Sequence, residues 1–385
     1  MRIGIDARGV YRYMDGVGRY SFSLIRHLAS VDRVNEYVIF RNQGTDKPLV
    51  EAQNFREYPV GFPALSLRSC LFFGQVIRKE GLDIFHALFP VTPLYGIRNL
   101  IVTVHDLMAL NFPGFFSDRN IVGQKAAYYF HKVMMRLAVS KSKKVIAVSH
   151  NTKRDVVDLF GIDGNKISVI HEATEPHFHK IEGVGVLKRF RENYHLPERF
   201  ILYLGNAKPY KNLLFLIRAF GLFHRQWDSG YKLVVAGKRE RFYQKRDRHY
   251  EALCQKVKGL GIQEHVEFVD YLPDEKLPLL YNAAELFVFP SLYEGFGLPA
   301  LEAISCGTPT IASKTSSLPE VVGNAAVLID PHNVDELADS IHRILADREL
   351  RASLAARGLA QSENFSWEKA ARETLEVYRN TMLES

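Results

Sequence analysis

Leu286–Ser313 reads LFVFPSLYEGFGLPALEAISCGTPTIAS. Leu286–Phe289 is a short apolar run closed by Pro290, the pattern of a strand buried in a parallel sheet. Glu294-Gly295-Phe296-Gly297 follows as a loop. Pro299 suits the first turn of a helix, where its missing N–H has no partner to lose, and that helix runs to about Ser305. Gly307 ends it, Pro309 prevents its return, and residues 310–312 start the next strand. Such a unit aims free N–H groups and the positive helix end at one place, which favours a phosphate. Gly295 and Gly297 let a ligand approach the backbone closely. Glu294 and Glu302 flank the place, although an anion repels both. Accepting hydrogen bonds from sugar hydroxyls explains them, and phosphate between two polyol groups describes a nucleotide sugar.

Two glutamates eight apart, with Glu-Gly-Phe-Gly-Leu-Pro from the first, resemble the donor motif of the retaining glycosyltransferases of family 4, which have the GT-B fold. The match falls on Glu294, Gly295, Phe296, Gly297, Leu298 and Glu302, and the resemblance extends over nearly the whole chain. It implies that Glu294 faces the donor sugar, that Glu302 binds ribose hydroxyls, and that the amides between them hold the diphosphate. Nicotinamide binding competes, since residues 295–300 fit G-x-G-x-x-A. That fingerprint needs an acid about 20 residues on, at the end of the next strand. The strand here ends in Ser313-Lys314-Thr315 and Glu320 lies beyond it, so the fingerprint fails.

The 385 residues exceed one ordinary core, so two domains are expected, 1–180 and 181–365, joined through 174–185, which lacks periodicity and holds Pro176. No apolar run approaches the roughly 18 residues of a membrane span. The opening MRIGIDARG reads as a first strand, not a signal peptide. Cys70, Cys254 and Cys306 are scattered and form no metal pattern, which points to a reducing, cytoplasmic setting. No Asp-x-Asp pair occurs, which argues against a metal–diphosphate clamp; neither metal nor cofactor is expected beside the nucleotide-sugar co-substrate.

Residues 1–180 hold 24 Lys/Arg against 16 Asp/Glu, and the rest hold 26 against 27. Nine of the basic residues and no acid fall within 119–154, with Tyr128, Tyr129, Phe130, Met134 and Met135 interleaved. Such a face can track nucleic-acid phosphates or rest on anionic lipid. The lipid reading fits an enzyme at the inner face of a membrane extending lipid-linked or cell-surface glycans, and no nucleic acid is expected.

Arg2–Asp6 reads as the first strand. Gly16-Val17-Gly18-Arg19-Tyr20 opens a helix with Phe22, Leu24, Ile25 and Leu28 at helical spacing. In the family the equivalent glycine loop lies against the donor phosphates or the acceptor, which makes Gly16 and Gly18 candidates. Residues 37–40, 51–60, 83–86, 101–104, 144–148 and 167–170 read as further strands, with helices over 65–79 and 124–140 and a third capped at Ser149. His105 follows strand 101–104, and a histidine at the carboxyl end of a parallel strand faces the crevice where ligands bind. In the family this histidine contacts the donor sugar near the anomeric carbon; Asp106 orients its imidazole or contacts acceptor.

The second domain opens with strand 200–204 and the loop Gly205-Asn206-Ala207-Lys208-Pro209-Tyr210-Lys211-Asn212, before a helix over 213–224. Two lysines there can neutralise a leaving diphosphate. The family commonly carries an arginine where this chain has Asn206, together with the lysine that matches Lys211; Lys208 supplies the missing charge. Strands follow at 232–236 and 266–269, and helices at 243–260, 277–282, 334–345 and 350–362. Tyr271 and Leu272 fall where the family holds the nucleotide base. Ser366 caps a last helix from Trp367 to about Met382, which in the family crosses back to the first domain.

The fold expected is α/β of GT-B type, two Rossmann-like doubly wound domains facing across a cleft, with donor mostly on the second and acceptor mostly on the first. Transfer develops negative charge on the departing phosphate, which Lys211, Lys208 and the Gly295, Phe296, Gly297 and Leu298 amides would stabilise without metal. His105 and Glu294 would hold the sugar in position. The resemblance implies retention of configuration and a hexose donor, GDP-mannose or UDP-glucose, with a polysaccharide, lipid-linked glycan or glycolipid as acceptor. A hydrolytic pair made of Glu294 and Glu302 is opposed by the phosphate-suited surroundings. A basic binding module and an NAD-dependent enzyme are the alternatives.

Overall fold

The computed structural model describes residues 1–10, 16–43, 48–64, 66–89, 93, 95–112, 121–227, 230–237, 248–270 and 272–384. The chain divides into two units, Met1–Ala173 with Ser366–Ser385, and Thr174–Phe365. The division falls at 173/174, where the sequence reading set it at 180/181.

The first unit runs β1 (Arg2–Asp6), α1 (Gly16–Val31), β2 (Glu36–Asn42), β3 (Phe55–Val60), α2 (Leu67–Lys79), β4 (Ile84–Ala87), β5 (Leu100–Val104), α3 (Met108–Asn111), α4 (Ile121–Lys141), β6 (Lys144–Ala147), α5 (His150–Phe160) and β7 (Ile167–Val169). Its strands pair in parallel in the order β3-β2-β1-β4-β5-β6-β7. The central runs IFHA and LIVTV are buried throughout, as parallel strands covered on both faces must be.

The second unit runs α6 (Val184–Asn193), β8 (Phe200–Leu204), α7 (Leu213–Trp227), β9 (Lys232–Ala236), α8 (Arg248–Gly259), β10 (Val266–Val269), α9 (Leu277–Ala283), β11 (Leu286–Phe289), α10 (Leu298–Ser305), β12 (Thr310–Ser313), α11 (Leu318–Val322), β13 (Ala326–Ile329), α12 (Val334–Ala346) and α13 (Arg348–Ser362). Its sheet is parallel in the order β10-β9-β8-β11-β12-β13. Each unit is therefore doubly wound and Rossmann-like. Strand order reverses between β1 and β4 in one and between β8 and β11 in the other, and ligands of such sheets bind outside the carboxyl ends at that point.

Helix α6 starts within the segment read as an aperiodic linker. Only Phe190 of it is buried, so no apolar stripe marks it. α3, α11 and β13 also went unread, being four or five residues long. The first residues of the helix expected at 243–260 lie outside the described residues.

The last helix, α14 (Trp367–Leu383), is capped by Ser366 and packs on α1. Trp367 sits edge-on to Tyr20, ring centroids 5.7 Å apart, and stacks on His27 at 6.5 Å. Tyr378 Oη lies 2.7 Å from Nδ1 of His86, whose Nε2 lies 2.8 Å from Thr103 Oγ1. Burial, helped by the charge of His105, pushes His86 down to about 3, so this imidazole is neutral and bolts α14 to β4 and β5. Trp367→Ala should cost about 3–5 kcal/mol, the scale of emptying a buried indole site. Tyr378→Phe should cost about 1–3 kcal/mol by stranding a buried nitrogen. Urea unfolding followed by tryptophan-independent circular dichroism checks both; unchanged midpoints would show that α14 contributes nothing to the core.

Candidate functional site

In the second unit the site forms where the loops after β8 and β11 meet. Tyr203 ends deep in the core and its hydroxyl donates to Asn206 O at 2.8 Å, holding the first loop. Asn206 Oδ1 accepts from Lys208 N at 3.1 Å. The side chain that stands in for the family's arginine thus closes a turn of its own loop. Pro209–Lys211 forms one tight helical turn, and Asn212, in the left-handed region at φ 58°, ends it while its side chain donates to Pro331 O at 2.8 Å. This delivers Lys211 Nζ to Glu294 Oε1 at 2.6 Å, with side chains 12% and 10% exposed. The ammonium also lies 5.0 Å from the centre of the Phe289 ring. Leu292 N donates to Tyr210 O at 2.8 Å, so backbone joins the two loops as well.

The Glu294–Gly297 loop is clamped by hydroxyls that follow β12. Thr315 Oγ1 donates to Leu292 O at 3.1 Å, Ser316 Oγ accepts from Glu294 N at 3.1 Å, and Ser317 Oγ donates to Phe296 O at 2.6 Å. Sequence reading used this run only to dismiss the dinucleotide fingerprint. Four hydroxyl residues beside one lysine after a buried parallel strand was the available signal. Phe296 turns its ring into the core against Phe365, centroids 5.7 Å apart, so only its backbone faces outward. Gly297 caps α10 at φ 107°, and a Cβ there would stand 2.6 Å from Leu318 Cδ2. Glycine is required at this point by the backbone as well as by any ligand.

Glu302 lies on α10, is 4% exposed, and accepts from Tyr281 Oη at 2.8 Å. Tyr281, carried by α9, was not anticipated; it looks like an ordinary apolar position of a short helix. Leu272 is buried after β10, and Tyr271 lies outside the described residues.

In the first unit β5 delivers His105, 9% exposed. Its Nε2 lies 2.9 Å from Leu88 O, at the end of β4, and its Nδ1 lies 3.2 Å from Glu172 Oε1, beyond β7. Thr152 Oγ1 donates to His105 O at 3.2 Å, and the edge of Tyr20 meets the imidazole at 4.6 Å. Burial pulls the His105 pKa down, but the Glu172 hydrogen bond and charge, the Leu88 carbonyl and Asp106 together raise it above its ordinary value. Asp106 accepts from the amide of Met108, the first residue of α3, at 2.8 Å. Glu172 was missed, although it follows a strand end just as His105 does. Gly16 and Gly18 already lie inside α1, the first exposed and the second buried, so the expected glycine loop there is helix from Gly16 onward.

Lys211, Glu294, Gly295, Phe296, Gly297, Leu298, Asn206 and Lys208 are therefore gathered by two neighbouring strand ends of the second unit. Double-mutant analysis tests the central pair: Lys211→Met and Glu294→Gln should each lower Tm, and the double variant should lose less than the two losses summed, with coupling of about 0.5–3 kcal/mol. Strict additivity would mean that the two charges do not support each other.

A family model described as Glycosyl transferases group 1 matches residues 187–361, and one described as Glycosyltransferase Family 4 matches 14–178. O-antigen chain mannosyltransferase B of Escherichia coli is 28% identical over 384 residues, 95% of this chain and 96% of that protein. An uncharacterized glycosyltransferase of Methanocaldococcus jannaschii is 32% identical over 364 residues, 88% of each chain. Among solved structures, Anabaena HepE in complex with UDP-glucose superposes with a TM-score of 0.76 at 19% identity, covering 99% of this chain and all of that one.

Proposed function

Because the chain belongs to the group 1, family 4 glycosyltransferases and has their GT-B fold, we propose that it moves mannose from a nucleotide sugar to a growing polysaccharide of the O-antigen kind, with retention of configuration. The observation that carries the donor reading is the loop Glu294–Gly297, clamped at the N-terminus of α10 with Lys211 against it. Lys211 and the loop amides would meet the charge that grows on the departing diphosphate, Glu294 would take sugar hydroxyls once the phosphate engages Lys211, and Glu302 would take those of ribose. This division of labour needs no metal. His105 would hold the hexose in position. Mannose is put ahead of glucose because the Escherichia coli relative, a mannosyltransferase by name, aligns with nearly the whole chain. The HepE complex makes UDP-glucose the comparison donor.

Thermal melts with GDP, UDP and NAD test the site. At 100 times its dissociation constant the correct nucleoside diphosphate should add about 2.7 kcal/mol, and much less to Glu302→Ala. Stabilisation by NAD alone would return the dehydrogenase. Turnover of GDP-mannose should survive EDTA and yield an α-linked product by NMR. An inverted product, or a loss with EDTA that a divalent cation restores, would sink retention or metal independence respectively.

A lipid surface as partner is favoured by α4. Val122, Lys125, Tyr129, Val133 and Arg136 recur three or four residues apart, and all are exposed. Among the described residues no helix is long and apolar enough to cross a membrane. Such a face would rest on anionic headgroups. Vesicles containing phosphatidylglycerol should pellet the chain, salt should weaken this, and Lys125→Glu/Arg136→Glu should abolish it; equal binding to neutral vesicles would overturn the proposal.

A further inference from the structure

His105 has an acceptor on each side. The Leu88 carbonyl oxygen at 2.9 Å from Nε2 can only accept, so Nε2 carries a proton. Glu172 Oε1 lies 3.2 Å from Nδ1, and as a carboxylate oxygen it would likewise only accept there, which calls for a proton on Nδ1 too. A neutral ring could serve one of the two and would leave the other buried acceptor facing a lone pair. Thr152 Oγ1 holds the backbone carbonyl of His105, and the rings of Tyr20 and His105 meet edge to face with centroids 4.6 Å apart.

We propose that Glu172 is a positioning residue that keeps His105 a fixed imidazolium with both N–H groups committed to the protein, so that His105 serves hexose transfer as a charge and a wall rather than as an acid or base. This rests on the proposed function only for the words hexose transfer; the pairing stands without it. The groups around the ring agree. Glu172 reaches it from beyond β7, and Asp106, next in the chain, adds negative charge. His86, from β4, is neutral, and Tyr20, from α1, keeps its proton because burial raises it. One histidine is thus shifted up and its buried neighbour down. Burial and the charge of His105 push His86 down, and its partners, the hydroxyls of Tyr378 and Thr103, bring no carboxylate to oppose this. The difference in partner, rather than in burial, separates the two.

The sign follows from the shift. A histidine whose folded pKa lies above its unfolded value stabilises fully below about 6.5, and that stabilisation is lost as pH rises through the folded value. NMR of the full chain with 15N-histidine tests this without any ligand, His105 being assigned by its absence in His105→Asn. In the wild type, both His105 nitrogens should read as protonated at pH 7.5, and in Glu172→Gln the ring should titrate below the wild-type value. A wild-type ring that is a neutral tautomer at pH 7.5, or a Glu172→Gln ring titrating as the wild type does, overturns the proposal. The wild-type spectrum decides even where the variant fails to fold. With GDP-mannose, the wild-type kcat should be flat through the pH range in which Glu172→Gln falls as pH rises. Glu172→Gln should lose up to about 100-fold in kcat, the scale of a misplaced positioning contact, and Glu172→Asp should recover part of it. A shared pH profile would overturn the proposal. No turnover by the wild type would count against the transfer reading alone and leave the NMR result as the judge of the pair.

Discussion

Removing a lysine ammonium and a glutamate carboxylate from water costs several kcal/mol each unless they meet. Lys211 and Glu294 meet at 2.6 Å, and much of the second unit's site follows from that. The two residues arrive on loops after β8 and β11, the neighbouring strands between which the sheet order reverses. The ion pair draws those loops together, and the Leu292–Tyr210 backbone bond and the Thr315, Ser316 and Ser317 hydroxyls fix them there. Under the proposed function a diphosphate competes with Glu294 for Lys211. The carboxylate is then handed from an ammonium to sugar hydroxyls, so donor binding exchanges one set of partners for another instead of filling a vacancy.

The first unit meets the same constraint with different chemistry. At the end of β1, Asp6 and Arg8 are fully buried and paired through two nitrogens, Nε to Oδ1 at 2.8 Å and Nη2 to Oδ2 at 2.7 Å. The guanidinium carbon lies 3.8 Å from the centre of the Phe73 ring, where a delocalised, weakly hydrated cation is tolerated and an ammonium would fare worse. At the end of β5, His105 meets Glu172. Both of these buried ion pairs lie at or beyond the carboxyl ends of strands.

Most of the strands could be read because parallel strands covered on both faces are near-continuous apolar runs. Arg2–Asp6, Phe200–Leu204, Lys232–Ala236, Val266–Val269 and Leu286–Phe289 fall where the residues put them. Helices with caps were equally legible: Ser149 and Ser366 each accept from the amide three residues on. What escaped was short, like α11, or lacked an apolar stripe, like α6. The site divided along another line. Residues belonging to a local motif, Glu294 to Leu298 and Glu302, were visible as a motif. Their partners were not, because Lys211 and Glu294 are 83 positions apart, His105 and Glu172 are 67 apart, and His86 and Tyr378 are 292 apart. Nothing in local spacing encodes such pairs.

The carboxylates that flank a phosphate-suited loop show what can still be argued before a partner is seen. An acid in that position must be compensated by a cation, by hydroxyl donors, or by both. Glu294 has the cation. Glu302 has the hydroxyl: Tyr281 Oη donates to it at 2.8 Å in a nearly closed site. Its charge is felt nearby, since burial and the Glu302 carboxylate together push the Cys306 thiol up. A phenol O–H offers a carboxylate the same kind of bond as a ribose O–H, and it fixes the carboxylate plane without cancelling its charge. Under the proposed function Glu302 would accept from a ribose hydroxyl as well, whereas an arginine or lysine in the place of Tyr281 would set a cation against it. Under the proposed function, a tyrosine hydroxyl beside one glutamate and a lysine beside the other would let the two act differently on a single ligand.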